Sequence, residues 1–284
     1  MSPTTRDPIR FGAVTDSGGR RPANEDSVLA RPPVFCVADG MGGHARGAMA
    51  SAAVVAAFEE LALQLGSEEA LELSTERVQG AVHAAQARIR AELGLDQPES
   101  DTEMTAGSTL AGVLLTRADG RLCWLAFNIG DSRIYRATGG VLSRISVDHS
   151  VVQELIEAGE IDEEQARSHP LRNMITRAVG SGMPVAPDFW LLSATSGDRL
   201  LLCSDGLVNE VTEREIGTVL GDGGTAQQVA DRLLARARGV DGARDNVSVV
   251  VVDLHLESEV DDVTAPRLVG AYDPEDTMPR EYAR

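Results

Sequence analysis

The sequence has few cysteines and few positive charges, and each shortage excludes a class of protein. Its 3 cysteines, Cys36, Cys123 and Cys203, are isolated and never in C-x-x-C spacing, so they form neither a disulfide framework nor a zinc site. Buried structural thiols are predicted instead. Lys and Arg number 26 against 44 Asp and Glu, a net charge of −18. That balance argues against binding to nucleic acid; it suits an acidic solvated surface or carboxylates gathered around cations.

Long hydrophobic runs are also missing. The longest apolar stretch, Met49–Phe58 with Ser51 inside it, is far shorter than the roughly 20 residues of a membrane-spanning helix. The first residues, MSPTTRDPIRF, contain no apolar segment of signal-peptide length. We therefore expect a cytoplasmic chain with no membrane segment.

Strand and helix patterns occur in separate blocks. Short turns at 118–120 and 138–140 join neighbouring strands and are typical of antiparallel hairpins. This arrangement predicts an α+β fold. The predicted strands are Ile9–Asp16, Val34–Ala38, Thr109–Thr116, Arg121–Asn128, Arg133–Ala137, Val141–Ser146, Phe189–Ala194, Asp198–Cys203 and Asn246–His255. The predicted helices are 44–64, Ser74–Leu93, Ser150–Gly159, Asp162–His169, Glu213–Gly221 and Thr225–Arg238, and 181–188 is predicted to be irregular.

The chain divides into one domain and a tail. Residues 1–255 carry the periodic segments, whereas residues 256–284 are acidic, contain three prolines and have no apolar period. Such a composition does not bury enough apolar surface to fold. The interpretation is one folded domain followed by a disordered C-terminal tail.

Five aspartates lie at the ends of predicted strands. They are Asp26, Asp39, Asp131, Asp205 and Asp245. Strand ends on one edge of a sheet can converge, but several carboxylates crowded together repel one another unless cations are present. Oxygen ligands of this kind suit hard ions such as Mg²⁺ or Mn²⁺. The pattern therefore indicates a metal site.

Six short motifs around these aspartates carry a family resemblance. In order they are Arg21-x-x-Asn24-Glu25-Asp26, Asp39-Gly40-Met41-Gly42-Gly43-His44, Gly107-Ser108-Thr109, Gly130-Asp131-Ser132-Arg133, Ser204-Asp205-Gly206 and Asp245-Asn246. The set resembles the bacterial form of the PP2C-type (PPM) metal-dependent Ser/Thr protein phosphatases over roughly residues 9–254. The resemblance implies a four-layer αββα sandwich, with two antiparallel β-sheets flanked by helices. It also implies hydrolysis of phosphoserine and phosphothreonine in proteins by a metal-bridging water.

The resemblance further implies the metal ligands. Asp39 would bridge two tightly bound Mn²⁺ or Mg²⁺ ions, and the Gly40 carbonyl would bind one of them. Asp205 and Asp245 would complete the coordination of one ion, and Asp131 with Asp205 would bind a third, weaker ion. Glu25 and Asp26 would contact the other ion through water, or would position the residues that bind the ions. For Asp131, a turn residue bonded to backbone amides is the alternative interpretation.

The remaining site residues would act on the phosphate. Arg21, rather than the adjacent Arg20, would grip it with a planar fork of donors. His44 would protonate the leaving oxygen; unlike in eukaryotic members, it does not directly follow the Asp-Gly pair. Asn24 and Asn246 would support the site. By contrast, His149 is predicted to be structural, capping the following helix together with Ser150.

Other interpretations remain beside this one. Gly40–Ala45 fits the G-x-G-x-x-[GA] fingerprint of a dinucleotide-binding oxidoreductase, which predicts alternating β and α units downstream. A catalytically silent scaffold should have lost a bridging carboxylate, and none is lost here. A phosphatase dedicated to an anti-sigma-factor antagonist is a narrower alternative. The expected partners are phosphorylated proteins, namely Ser/Thr kinases and their substrates.

Truncation after His255 tests the predicted tail. Because the tail has no apolar period with which to pack, its removal should leave the melting temperature and the phosphopeptide activity nearly unchanged. Thermal unfolding of the full and truncated chains measures this. A large loss of stability would mean that the tail docks on the domain.

Overall fold

Two antiparallel sheets form the middle of the molecule. The structure, a computed structural model, describes residues 8–43, 45–66, 72–95, 106–180 and 185–256. One sheet has the strand order β1-β11-β10-β7-β8, and the other has β2-β3-β5-β6-β9, with β4 beside β3. Within the described ranges the strands are β1 (Ile9–Asp16), β2 (Asp26–Arg31), β3 (Val34–Met41), β4 (Gly107–Ser108), β5 (Leu110–Ala118), β6 (Arg121–Ile129), β7 (Arg133–Thr138), β8 (Val141–Arg144), β9 (Asp188–Ser193), β10 (Arg199–Cys203) and β11 (Val247–Leu254). Every neighbouring pair of these strands is antiparallel.

Helices cover the outer face of each sheet. The described helices are α1 (Ala45–Gln64), α2 (Thr75–Glu92), α3 (Val151–Glu157), α4 (Glu163–Ser168), α5 (Asp205–Val208), α6 (Glu213–Gly221) and α7 (Ala226–Arg238). Helices α1 and α2 pack on the second sheet, and α5 to α7 pack on the first. Side-chain caps fix the beginnings of most of them, as at Thr212 and Thr225, each of which forms a capping box with the residue three positions on. These caps explain why the predicted starts of α6 and α7 agree with the structure to within one residue.

Alternating side chains divide the interior into three apolar layers. In β11, Val249 and Val251 pack with helices α5 to α7, whereas Val250 and Val252 face the other sheet. In β3, Cys36 packs against α1 and α2, and its neighbours on either side of it in sequence face the first sheet. Both central strands are therefore buried on two faces, and the order of layers is helix, sheet, sheet, helix. The predicted αββα sandwich is confirmed.

Helix α1 is the one described helix that meets the length and composition of a membrane span. The sequence prediction had considered only the shorter stretch inside it. One face of α1, including Val54, Phe58 and Leu61, is buried in the apolar layer that covers the second sheet. Core helices of this kind pass the same test, so the test is weak evidence for a membrane segment.

Several sequence predictions need correction. Strand β2 was not predicted, because only three apolar residues, Val28–Ala30, lie between its polar ends, although all six of its residues pair with β3. Strand β3 continues to Met41, so Asp39 lies inside the strand rather than just after it. The dinucleotide-binding interpretation is wrong, since no parallel β-α alternation follows β3 within the described residues. The predictions for 181–184 and for the tail beyond residue 256 lie outside the described residues.

Candidate functional site

Strand ends from both sheets bring the predicted aspartates to one end of the sandwich. In the second sheet, Asp26 on β2 lies directly opposite Asp39 on β3. In the first sheet, Asp205 follows β10 and Asp245 precedes β11, and these strands are neighbours. Like charges directly opposite one another destabilise a strand pair. The fold therefore concentrates negative charge where the two sheets meet.

A close approach at Gly206 holds two of these strand ends together. A Cβ atom at this position would overlap the backbone oxygen of Asn246. The residue next to Gly206 is Asp205, and the residue next to Asn246 is Asp245. Only glycine allows the two backbones to approach this closely, which accounts for the Asp-Gly sequence at this strand end.

Asp39 is the centre of the electrostatic cluster. Burial holds the pKa of its carboxyl well above the usual range, and the charges of four other aspartates raise this pKa further. These four are Asp26, Asp205, Asp131 and Asp245. The Asp39 side chain is also hydrogen-bonded to that of Asp205. Two carboxylates that share a proton in this way retain one charge between them, so a cation can replace the proton.

Three further aspartates have raised pKa values. Burial raises the pKa of Asp26 to about 7, although hydrogen bonds from Ser248 and Ser204 oppose the shift. Burial also raises the pKa of Asp131 to about 8, with the charge of Asp205 adding to it. For Asp205, burial again raises the pKa, and the Asp245 charge adds to it. The five aspartates predicted from sequence thus interact with one another in the folded chain.

Glu25 and the Gly40 carbonyl lie against the first turn of α1. A Cβ atom at Gly47 would lie 2.8 Å from the Gly40 carbonyl oxygen and would overlap the Glu25 carboxylate. Both oxygen donors therefore occupy the space that a side chain at position 47 would fill. The Glu25 carbonyl accepts a hydrogen bond from the Ser51 hydroxyl at 2.6 Å, which fixes the residue before β2 to helix α1. Gly47 was missed in the sequence analysis because it resembles an ordinary helix residue.

Asn24 and Asn246, the predicted supporting residues, form hydrogen bonds to the backbone around the carboxylates. The Asn24 amide oxygen accepts from the Asp26 backbone N–H at 3.1 Å. The Asn246 amide oxygen accepts from the Glu25 backbone N–H at 2.8 Å, and its amide nitrogen donates to the Ala23 carbonyl at 2.9 Å. Asn246 thereby ties the loop before β2 to the loop before β11.

Buried hydroxyl groups position the aspartates, and sequence reasoning gave them no role. Thr109 Oγ1 accepts from the Asp39 backbone N–H at 2.9 Å, and the Thr109 N–H donates to the Asp39 carbonyl at 2.9 Å. Thr109 Oγ1 also lies 2.7 Å from Ser132 Oγ, next to Asp131. Ser204 Oγ donates to Asp26 Oδ2 at 2.8 Å. The signal was present, because each hydroxyl residue lies inside one of the recognised motifs.

Arg21 lies beside the cluster in an exposed position. Its Nη2 donates to Asp245 Oδ2 at 2.7 Å, and this bond raises the pKa of the guanidinium. A guanidinium has five N–H donors in a planar fork, so further donors can meet an oxyanion while one contacts Asp245. Arg20 points elsewhere and donates from Nε to the Asp241 carbonyl at 3.1 Å. His44 lies outside the described residues.

The prediction for His149 is half right. Ser150 does cap α3, because its side chain accepts from the Gln153 backbone N–H. The His149 ring does not contribute to this cap; its Nδ1 accepts from the Gly130 backbone N–H at 3.1 Å, just before Asp131. The sequence could not reveal this contact because 19 residues separate the two groups.

The donor set fits a hard divalent cation. All the convergent groups are carboxylate or carbonyl oxygens, as Mg²⁺ and Mn²⁺ require. Asp26 Oδ1 is buried and has no hydrogen-bond partner among the described residues, so it can accept a further ligand or a water. Among the described residues, no three acidic, Cys or His side chains form a complete ion-binding group by themselves. A bound ion would therefore also need backbone carbonyl oxygen, water and small side-chain rotations.

The fold and this cluster define a class of protein: an αββα sandwich with an acidic, oxygen-donor site where its two sheets end. The comparison with family models agrees with that class. The chain belongs to the protein phosphatase 2C family, whose model matches residues 24–253.

Named relatives and solved structures support the same assignment. The serine/threonine protein phosphatase PstP of Mycobacterium tuberculosis strain H37Rv is 38% identical over 279 residues, which cover 97% of this chain and 51% of PstP. The chain therefore spans about half the length of this relative. The serine/threonine phosphatase stp of Listeria innocua is 33% identical over 85% of this chain and 94% of its own length. The catalytic domain of PstP in complex with two manganese ions superposes with a TM-score of 0.73 at 35% identity, covering 87% of this chain and 98% of that domain.

The raised pKa values predict an unusual pH dependence for chelator-treated protein. Between about pH 4 and pH 8 the buried aspartates hold protons in the folded chain that the unfolded chain releases, so rising pH favours unfolding. The melting temperature in EDTA should fall from pH 5 to pH 8. Asp39→Asn should flatten this slope, and Asp222→Asn, at an exposed position, should not. A melting temperature that rises over this interval would contradict the described electrostatics.

Proposed function

We propose that this chain is a metal-dependent protein serine/threonine phosphatase that hydrolyses phosphoserine and phosphothreonine in proteins. The observation that carries the proposal is the cluster of five interacting aspartates at the shared end of the two sheets. Membership of the protein phosphatase 2C family supports it. So does the similarity to the PstP catalytic domain, whose solved complex contains two manganese ions.

The ion-binding residues follow from the geometry and the family resemblance together. Asp39, the Gly40 carbonyl, Asp205 and Asp245 would hold two Mn²⁺ or Mg²⁺ ions, and Asp131 with Asp205 would hold a third, weaker one. Glu25 and Asp26 would act through water. When bound, such a pair of ions lowers the pKa of a water and neutralises phosphoryl charge.

The protein's own groups bind and orient the substrate. Arg21 would bind the phosphoryl oxygens with donors that Asp245 does not use, and this contact would place the phosphorus beside Asp39. The hydroxyls of Thr109 and Ser204 keep Asp39 and Asp26 in position, so the carboxylates need little reorganisation during the reaction. His44 would donate the proton to the leaving serine or threonine oxygen.

The wider role is inferred from the same similarity. The chain would work in the cytoplasm and would oppose bacterial Ser/Thr kinases, with the kinases and their substrates as its phosphorylated partners. A catalytically silent scaffold is disfavoured, since Asp39, Asp205 and Asp245 are all retained. Dedication to an anti-sigma-factor antagonist remains the narrower alternative, and a phosphoproteome comparison after gene deletion would separate the two.

Removal of the central carboxylate is the first test of this function. Purified protein should release phosphate from a phosphothreonine peptide with Mn²⁺ or Mg²⁺, and EDTA should stop the release. Asp39→Asn keeps the side-chain shape but removes a charge that two ions would share, so kcat should fall by roughly 100-fold or more. The exposed Asp231→Asn is the matched control. Full activity in Asp39→Asn would contradict the two-ion mechanism.

Replacement of the phosphate-binding arginine is the second test. Arg21→Ala should raise KM for the phosphopeptide more than it lowers kcat, if the guanidinium binds the ground state and the transition state equally. Loss of a charged contact is worth roughly 1.5–3 kcal/mol, and the exposure of Arg21 favours the lower end. Steady-state kinetics of Arg21→Ala and Arg20→Ala measure the difference. Impairment of Arg20→Ala alone would show that the neighbouring arginine binds the phosphate.

A further inference from the structure

A buried histidine outside the predicted site contacts the turn that carries Asp131. The His149 side chain is 6% exposed. Its Nδ1 accepts from the Gly130 backbone N–H at 3.1 Å. Since Nδ1 accepts a hydrogen bond, it carries no proton, and the ring proton of the neutral form belongs to Nε2.

The other side of the ring meets an ion pair. His149 Nε2 lies 3.4 Å from Asp188 Oδ2, and Arg177 Nη1 lies 2.8 Å from Asp188 Oδ1. A carboxylate opposite Nε2 favours the tautomer in which Nε2 is the donor. Arg177 Nη1 also lies 3.4 Å from Nε2, but it donates to Asp188 Oδ1 at 2.8 Å. Because Nδ1 accepts from Gly130, Nε2 carries the proton, and Asp188 Oδ2 is the acceptor that favours this tautomer.

The peptide between Gly130 and Asp131 is held from several directions. The Gly130 carbonyl accepts from the His149 backbone N–H at 2.9 Å and from Asn128 Nδ2 at 3.0 Å. Gly130 has a φ of +96°, and a Cβ atom there would lie 2.7 Å from Thr109 Cγ2. Hydrogen bonds and a backbone conformation that favours glycine therefore fix the turn, and in the described part of the chain the Gly130 N–H has one side-chain acceptor, His149.

We propose that His149 is a positioning residue that orients Asp131 for its ion, with Asp188 selecting the tautomer that does so. The role rests on the proposed function, in which Asp131 and Asp205 hold the weakest of the bound ions. A site with few protein ligands depends strongly on where each ligand points, and outer contacts of this kind commonly change metal affinity or activity 10- to 100-fold.

Nuclear magnetic resonance tests the contact itself. In ¹⁵N-labelled protein, a scalar coupling across the hydrogen bond should connect the Gly130 amide nitrogen with His149 Nδ1. Its presence supports the assigned tautomer, and it should be lost in Asp188→Ala if Asp188 selects that tautomer. Absence of the coupling in the wild-type protein, or its unchanged size in Asp188→Ala, would overturn the proposal. Neither result depends on phosphatase activity.

Two substitutions of His149 separate its two sides. His149→Asn places an amide oxygen near the position of Nδ1, where it can still accept from the Gly130 N–H. His149→Gln places its amide near the position of Nε2 and leaves the Gly130 N–H without this acceptor. Electron paramagnetic resonance of free Mn²⁺ counts the bound ions, and kcat is measured on the same preparations. His149→Gln should lose the weakly bound ion, as Asp131→Asn should, and its kcat should fall about 10-fold or more. His149→Asn should retain the weakly bound ion and most of the wild-type kcat.

Ser150→Ala is the control for ordinary destabilisation. It removes the cap of α3 beside His149, so its melting temperature should fall while ion count and kcat stay unchanged. The proposal is overturned if His149→Gln keeps the weak ion and its kcat, or if both His149 variants fall equally. It is also overturned if the wild type binds no ion that depends on Asp131. A wild type that binds the ions but releases no phosphate would contradict only the proposed function.

Discussion

The mutual repulsion of buried aspartates is the constraint on which the rest of the structure depends. Asp26 and Asp39 face each other across two strands, and Asp205 shares a hydrogen bond with Asp39 from the opposite sheet. Burial and neighbouring charge raise the pKa values in this group, so each ionised carboxylate costs free energy until a cation neutralises it. A cluster of this kind persists only if the surrounding chain holds it in place.

The sandwich supplies that rigidity. Both central strands are buried on two faces, and three apolar layers lock their ends at fixed positions. The close approach at Gly206 then brings the Asp205 segment against the Asp245–Asn246 segment, and the one at Gly47 brings α1 against Glu25 and the Gly40 carbonyl. Hydroxyls such as Thr109 and Ser204 bind the backbone or carboxyl of each aspartate. The free energy gained by apolar packing thus offsets the electrostatic cost of the clustered aspartates, and the glycines allow the backbone segments that carry them to approach closely.

Sequence patterns predicted the parts of this arrangement that depend on local signals. The predicted starts of α6 and α7 agree with the structure to within one residue, because both helices are capped locally, at Thr212 and Thr225, and the motifs contain every aspartate of the cluster. Contacts between distant residues could not be predicted. The His149–Gly130 bond and the space at Gly47 exist only after the chain folds, and no periodicity encodes them. Strand β2 was missed because its first residue, Asp26, belongs to the site and its last, Arg31, pairs with Glu59, which leaves a short apolar segment between them.

Anomalous X-ray diffraction from crystals grown with Mn²⁺ decides whether the aspartate cluster binds metal, because it locates ions without reference to activity. Two strong manganese peaks are expected at the shared end of the sheets, with the Asp39 carboxylate between them and Asp205 and Asp245 beside one of them. Occupancy of both peaks should disappear in Asp39→Asn crystals. Manganese bound only elsewhere on the acidic surface, with none at Asp39, would contradict the account.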